Sequence, residues 1–195
     1  MNIERSAEQE AAEDIFFGQL VIIYARWFVI VAMVVLALWS SNSIGQLTIA
    51  ILFIVPMIAI NFFVHGRYLM EKPVNAMLLM LLSVVDVIII TLILLFWQDA
   101  RGMASQFYIF YYPIILAFAF VFPARNSAIY TVFTVVVYVV VCIVATPSVL
   151  VNSPELERLV MRVITMASMG VLGIYYWRIQ RSRRREQLVA EPELA

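Results

Sequence analysis

Cysteine and histidine are nearly absent from this chain of 195 residues, which contains one of each, Cys142 and His65. One cysteine cannot form a disulfide within the chain, and the two residues together supply too few ligands for a zinc site. Lys plus Arg and Asp plus Glu each number 13, so the chain has no net charge and lacks the basic excess that nucleic-acid binding requires. A metal site and a nucleic-acid partner are therefore excluded from the candidate functions.

Motifs of enzyme chemistry are also missing from the sequence. It contains no glycine-rich phosphate loop, no nucleophile elbow and no arrangement of paired carboxylates. Charged residues make up only 13% of the chain, whereas hydrophobic residues make up 64%. Soluble domains have about 25% and about 45–50%, respectively. The composition therefore indicates an all-α integral membrane protein, and we expect no catalysis, no bound metal and no cofactor of its own.

Six apolar runs approach the length that a helix needs to cross the hydrocarbon core, which is about 20 residues. In chain order they are residues 26–41, 47–64, 74–97, 107–122, 128–145 and 159–177. The sequence thus predicts a bundle of six transmembrane helices over 26–177. Residues 1–25 are expected to form a cytoplasmic, interfacial amphipathic helix, and residues 178–195 a basic cytoplasmic tail.

Basic residues predict the orientation, because segments rich in Lys and Arg stay on the cytoplasmic side of the membrane. With six spans, both termini lie on the same side. The nine basic residues on that side are Arg5, Arg67, Lys72, Arg125, Arg178, Arg181, Arg183, Arg184 and Arg185. The opposite loops hold only Arg101 and Arg158. We therefore expect a multi-pass protein of the cytoplasmic membrane with both termini in the cytoplasm.

Asp86 is the most informative polar residue, because it lies 11 residues from both Asn75 and Trp97. At about 1.5 Å per residue, that places its carboxyl near the bilayer midplane. No basic residue is expected at that depth, so we predict a protonated carboxyl hydrogen-bonded to Tyr138, with Thr134 one turn away. This group is interpreted either as a structural link between helices or as a site that senses a proton, a quinone or another ligand.

Other polar residues near the ends of the spans have simpler interpretations. Asn61 is expected to tie helices together through its amide. Arg26 and Trp27 are expected to anchor the first span at the headgroups. Arg162 is expected to extend outward or to meet acids of the outer loops, namely Asp99, Glu155 and Glu157. The tail arginines are expected to hold anionic headgroups, and they are Arg181, Arg183, Arg184 and Arg185.

Two further features suggest contact surfaces. Tyr108, Tyr111 and Tyr112 crowd the outer end of the fourth run, where they form either an aromatic belt or a face for a flat hydrophobic ligand such as a quinone. Gly170 and Gly173 make a shallow groove on the sixth run for close helix approach. The groove is expected to serve packing within the bundle or, alternatively, a homodimer contact.

The order of these residues resembles the six-span membrane region of bacterial sensor histidine kinases. The resemblance rests on Arg26-Trp27, Asn61, Asp86, Tyr111-Tyr112-Pro113, Phe122-Pro123-Ala124-Arg125, Arg162 and residues 177–186. It implies a membrane sensor of a bacterial two-component system that receives a signal and passes it to a cytoplasmic kinase module. Redox-responsive members carry Gly-Gly and Asn-Pro-Phe before the fourth span, and this chain carries neither there.

The sequence contains no phosphoacceptor histidine motif and no nucleotide-binding glycine box, so any kinase activity is expected in a missing or separate module. Signal reception is the expected function. The first alternative is an accessory or assembly subunit of a respiratory or photosynthetic membrane complex, with other membrane subunits as partners. A further alternative is the substrate-binding membrane component of an uptake transporter.

Overall fold

The computed structural model describes the backbone of residues 2–72, 74–97 and 101–190, and the side chains of 18–72, 74–97, 101–180 and 182. The described residues form helices α1 Asn2–Ser40, α2 Ile44–Leu69, α3 Ala76–Phe96, α4 Tyr111–Val121, α5 Ala124–Ala145 and α6 Ser153–Ala190. Short 3-10 turns lie at Gly102–Ala104, Phe107–Phe110 and Pro147–Leu150. Over these ranges the chain has no strand, so the predicted all-α class is confirmed.

Five stretches are long and apolar enough to cross a membrane. They are Gly18–Ser40, Ile44–Leu69, Ala76–Phe96, Ala124–Ala145 and Ser153–Gln180. Many large apolar side chains on these helices are exposed on the outside of the bundle, where lipid can cover them. The described chain therefore has the character of a multi-pass α-helical membrane protein.

In the structure, the fourth predicted span is shorter than the five candidate membrane-spanning helices. The 3-10 turn and α4 together form the apolar stretch Phe107–Val121. At about 1.5 Å per residue it is roughly 22 Å long, less than the ~30 Å of a hydrocarbon core. Helix α4 nevertheless packs against α1, α3, α5 and α6, so protein rather than lipid surrounds much of it. A helix enclosed in this way need not match the bilayer thickness.

Local sequence explains where several helices begin and end. Ser43 caps α2, since its hydroxyl accepts a hydrogen bond from the Gln46 amide at 3.3 Å, and Asn75 caps α3 by accepting one from Met77 at 3.2 Å. Pro123 separates α4 from α5 because the residue before a proline is disfavoured in helical conformation. These signals keep the connections short and the helices close together.

The glycine groove of α6 is filled by the bundle itself. A methyl group at Gly173 would overlap the Cβ of Ala119 on α4. At Gly170 it would lie 2.5 Å from the Thr131 hydroxyl oxygen on α5. Both glycines therefore allow α6 to approach its neighbours within the bundle, which is the first of the two expected uses of this groove.

Candidate functional site

A buried ion pair joins α1 to α3. The Arg26 Nε donates a hydrogen bond to Asp86 Oδ2 at 2.7 Å, and the two side chains are only 3% and 5% exposed. Helix α1 otherwise packs mainly on α2 and α4, so the pair adds a direct polar link to α3. A charge-assisted hydrogen bond of this length in a low-dielectric setting is among the stronger contacts available to a bundle.

This pairing corrects two predictions. Arg26 was expected at the headgroups, but the residue is 2% exposed, and it lies about 12 Å along the candidate span Gly18–Ser40. Its long side chain can therefore reach Asp86 from the neighbouring helix. The predicted hydrogen bond between Asp86 and Tyr138 is wrong, because Asp86 pairs with Arg26 while Tyr138 contacts Arg162.

Helix α5 supports the ion pair from the side. The Tyr130 hydroxyl donates to the Ser83 carbonyl, one turn before Asp86, at 2.9 Å. The Tyr130 ring stacks on Phe118 of α4 with ring centroids 3.9 Å apart and planes 9° apart. Thr134, part of the same predicted polar site, donates to the Tyr130 carbonyl of its own helix at 2.9 Å.

Polar side chains also tie α1 to α2. Asn61 donates from its amide to the Ile23 carbonyl at 3.3 Å. Gln19 donates to the Val64 carbonyl at 3.0 Å and accepts from the Val74 amide at 2.8 Å. Gln19 was not predicted to be a site residue, because residues 1–25 were placed outside the first span. An amide side chain within an otherwise apolar stretch from residue 18 was the signal that could have identified it.

Trp27 points toward α2 as well. Its indole nitrogen donates to His65 Nδ1 at 3.5 Å, and its ring packs edge-on against Phe62 with centroids 5.1 Å apart. The side chain is half-buried, so one face remains available at the surface of the bundle. Anchoring by Trp27 at the headgroups stays a prediction.

A second polar cluster surrounds Arg162 on α6 and is here called the Arg162 cluster; it consists of Arg162, Tyr138, Tyr108 and Met103. Arg162 Nη1 donates to the Tyr138 hydroxyl at 3.0 Å and to the Met103 carbonyl at 3.1 Å. The guanidinium carbon lies 3.6 Å from the centroid of the Tyr108 ring, a cation–π contact. Arg162 thus turns into the bundle rather than outward.

The acids expected near Arg162 have other surroundings. Glu155 accepts a hydrogen bond from the Ser148 hydroxyl at 2.9 Å, and Asp99 lies outside the described residues. A half-buried guanidinium that stacks on a tyrosine uses its planar face as well as its donors. Among the described residues the partners of Arg162 are a carbonyl, a hydroxyl and an aromatic ring, and a contact with Asp99 stays a prediction.

The three tyrosines of the predicted ligand face do not share one surface. Tyr111 is fully buried, its hydroxyl lies 2.7 Å from the Thr91 hydroxyl, and its ring packs edge-on against Tyr138 at 5.7 Å. Tyr108 and Tyr112 are half-buried and form a separate edge-on pair with centroids 6.0 Å apart. A shared ligand face is therefore wrong for Tyr111, which belongs to the core.

The structure does not describe the side chains of the four tail arginines, which are Arg181, Arg183, Arg184 and Arg185. Within the described ranges, no group of three or more His, Cys, Asp or Glu side chains could hold a metal ion. No family model, curated protein or solved structure matches the chain. The Arg26–Asp86 ion pair and the Arg162 cluster are therefore the features from which function is inferred.

The hydrogen bond between Arg162 and Tyr138 is expected to contribute to the stability of the bundle. Tyr138→Phe removes one of the two acceptors of Arg162 Nη1. It is expected to lower the free energy of unfolding by about 0.6–1.7 kcal/mol, from the average to the largest value measured for hydrogen bonds between the helices of a membrane protein. SDS titration of the protein in mixed micelles measures this change. Tyr175→Phe is the matched control, because Tyr175 is 63% exposed. Equal stability of the two variants would show that the Arg162 bond contributes nothing.

Proposed function

We propose that this bundle is a signal-input unit of a bacterial cytoplasmic membrane, resembling the membrane region of sensor histidine kinases and performing no catalysis itself. One observation supports the proposal most directly: α6 is a single helix from Ser153 to Ala190, and it continues beyond the apolar stretch that ends at Gln180. Near its start it holds Arg162. A movement of α6 at that point is therefore carried along the helix toward its far end.

The Arg162 cluster suits the receiving end of such a device. Its partners come from α5, from the 3-10 turn Gly102–Ala104 and from the turn before α4, so the position of α6 depends on three other parts of the bundle. A ligand or a change in the membrane that competes for Tyr138 or Tyr108 would release α6 from these contacts. Energetic coupling between two sites requires a structural element with two discrete arrangements. In this proposal the element is α6, either held at Arg162 or released.

The signal-input proposal is tested by comparing two arginines on the same helix. Spin labels are placed at Met70 and Ser182, both exposed, and their distance is measured by pulsed EPR in lipid bilayers. Arg162→Gln is expected to shift the distance distribution. Arg158→Gln, one turn earlier and exposed, is expected to leave it unchanged. Identical distributions in the parent and in both variants would contradict transmission through α6.

The topology proposed for this function has six spans, with α4 as the shortest, and both termini in the cytoplasm. The burial of α4 among four helices supports a crossing by this short segment. The excess of basic residues on one side supports the orientation. If α4 did not cross, Met70 and Ser182 would lie on opposite sides of the membrane.

Cysteine labelling tests this topology in a Cys142→Ala background. Single cysteines at Met70, Ser153 and Ser182 occupy exposed positions. In intact cells an impermeant thiol reagent is expected to label Ser153→Cys alone, and after lysis all three variants. Labelling of Ser182→Cys from outside would show that the orientation or the crossing of α4 is wrong.

The proposed partners are the lipid bilayer and a cytoplasmic kinase module, with a second copy of the chain as an alternative neighbour. Purification in a mild detergent distinguishes these from the accessory-subunit alternative. The signal-input proposal expects the chain to be recovered without unrelated membrane subunits. Recovery in a fixed ratio with such subunits would favour the accessory role.

A further inference from the structure

A small cavity adjoins the Arg26–Asp86 ion pair. Its walls come from α1, α3 and α4 and include Arg26, Ser83 and Asp86 as polar residues, with Ala117 and Phe118 on the α4 side. The cavity volume is about 10 Å³. That is close to the volume that a single water molecule needs by the same measure. The space is therefore too small for a quinone or any other ligand with several non-hydrogen atoms.

The guanidinium on this wall has more donors than the ion pair uses. Arg26 is 2% exposed, and its Nε donates to Asp86. Its Nη1 and Nη2 are buried and have no hydrogen-bond partner among the described residues. Each of these nitrogens carries two N–H donors. Leaving charged donors unpaired in a low-dielectric interior is costly, so a partner is required.

We propose that the cavity is a binding site for one water molecule that gives each Arg26 Nη a hydrogen-bond acceptor beside the Arg26–Asp86 pair. The water accepts from the Arg26 Nη groups and donates to the Asp86 carboxylate and to the Ser83 hydroxyl oxygen. The Ser83 hydroxyl donates to the Leu79 carbonyl at 3.0 Å, which leaves its lone pairs free to accept. Three polar partners are typical of a buried structural water.

The charges around the cavity favour water over an anion. Arg26 and Asp86 both face the cavity, and their charges cancel as a pair. An anion bound to the Nη groups would lie next to the Asp86 carboxylate and be repelled by it. A neutral molecule that both accepts and donates fits this environment, and water is the smallest one.

Water-edited solid-state NMR tests the site directly in lipid bilayers. The full chain is labelled with ¹⁵N-arginine, and the Arg26 signals are assigned by their loss in Arg26→Lys. We expect magnetisation transfer from water to the Arg26 Nη groups in the parent and a several-fold slower transfer in Ala117→Val, whose larger side chain fills the cavity. Absence of transfer in the parent, or undiminished transfer in Ala117→Val, would overturn the proposal.

Thermal unfolding of an isosteric pair gives an independent test. Ala117→Thr and Ala117→Val have the same shape, but only threonine offers a hydroxyl that replaces the water as an acceptor for Arg26. The melting temperature is expected to be lower for Ala117→Val than for Ala117→Thr. Equal losses in the two variants, or a valine variant as stable as the parent, would indicate a dry cavity. Stability is also expected not to depend on chloride, and a dependence would identify an anion site instead.

Discussion

Asp86→Leu is expected to lower the free energy of unfolding by about 3–5 kcal/mol, because it leaves the Arg26 guanidinium buried without its carboxylate. The two side chains are 2.7 Å apart and almost completely buried. Losing one partner of such a pair is strongly destabilising, because the other charge stays buried and unpaired. Asp86→Lys is expected to be worse, since it adds a like charge beside Arg26. Asp86→Asn retains an acceptor but not the charge and is expected to fall between Asp86→Leu and the parent.

The double variant Arg26→Leu/Asp86→Leu separates the pair from its parts. Two apolar side chains leave no buried charge, so the double variant is expected to recover most of the stability that either single variant loses. SDS titration of the parent, the two single variants and the double variant measures the coupling between them. Strictly additive losses would show that Arg26 and Asp86 do not stabilise the bundle through each other.

The sequence identified both members of this ion pair but did not pair them. The reason is physical: a charged residue was taken as the edge of the first span, although a long arginine side chain paired with a carboxylate can lie well inside. The misplaced edge moved Arg26 away from the depth of Asp86. Apolar runs located the helices well because insertion depends on local hydrophobicity, whereas the pairing of two distant residues depends on how helices pack.

Tyr138 and Arg162 illustrate the same limit. Tyr138 was predicted to make a polar contact inside the bundle, and it is indeed fully buried. Its partner could not be predicted, because Arg162 belongs to another helix and approaches from near the end of its span. A one-dimensional estimate of depth also ignores side-chain length, which lets residues several ångströms apart in depth make contact. Polar residues were therefore easier to identify than their partners.

Close helix packing was easier to predict than polar pairing. Gly170 and Gly173 indicated a groove because small residues recur on one face, and the structure places α4 and α5 against them. What the sequence left open was whether the neighbour is another helix of the bundle or a second chain, since glycine spacing is the same in both cases. The identity of the contacting residue, Ala119 for Gly173, required the fold.

Gly173→Ala is expected to lower the free energy of unfolding by about 1–3 kcal/mol, the usual cost of overpacking. The added methyl group would overlap the Cβ of Ala119, and that atom is fixed to the α4 backbone and cannot rotate away. Alanine is favoured over glycine in a helix by about 0.5–1 kcal/mol, so the expected loss is net of that gain. Unfolding in SDS and thermal unfolding in detergent both measure it.

Gly66→Ala is the matched control, because Gly66 also lies within a helix but a methyl group there would meet no atom within 4 Å. This variant is expected to be as stable as the parent or slightly more stable. Gly173→Ala combined with Ala119→Gly restores the space between α6 and α4 and should recover part of the loss. If Gly173→Ala behaved like Gly66→Ala, the close approach of α6 to α4 would be wrong, and with it the packing that holds Arg162 in its cluster.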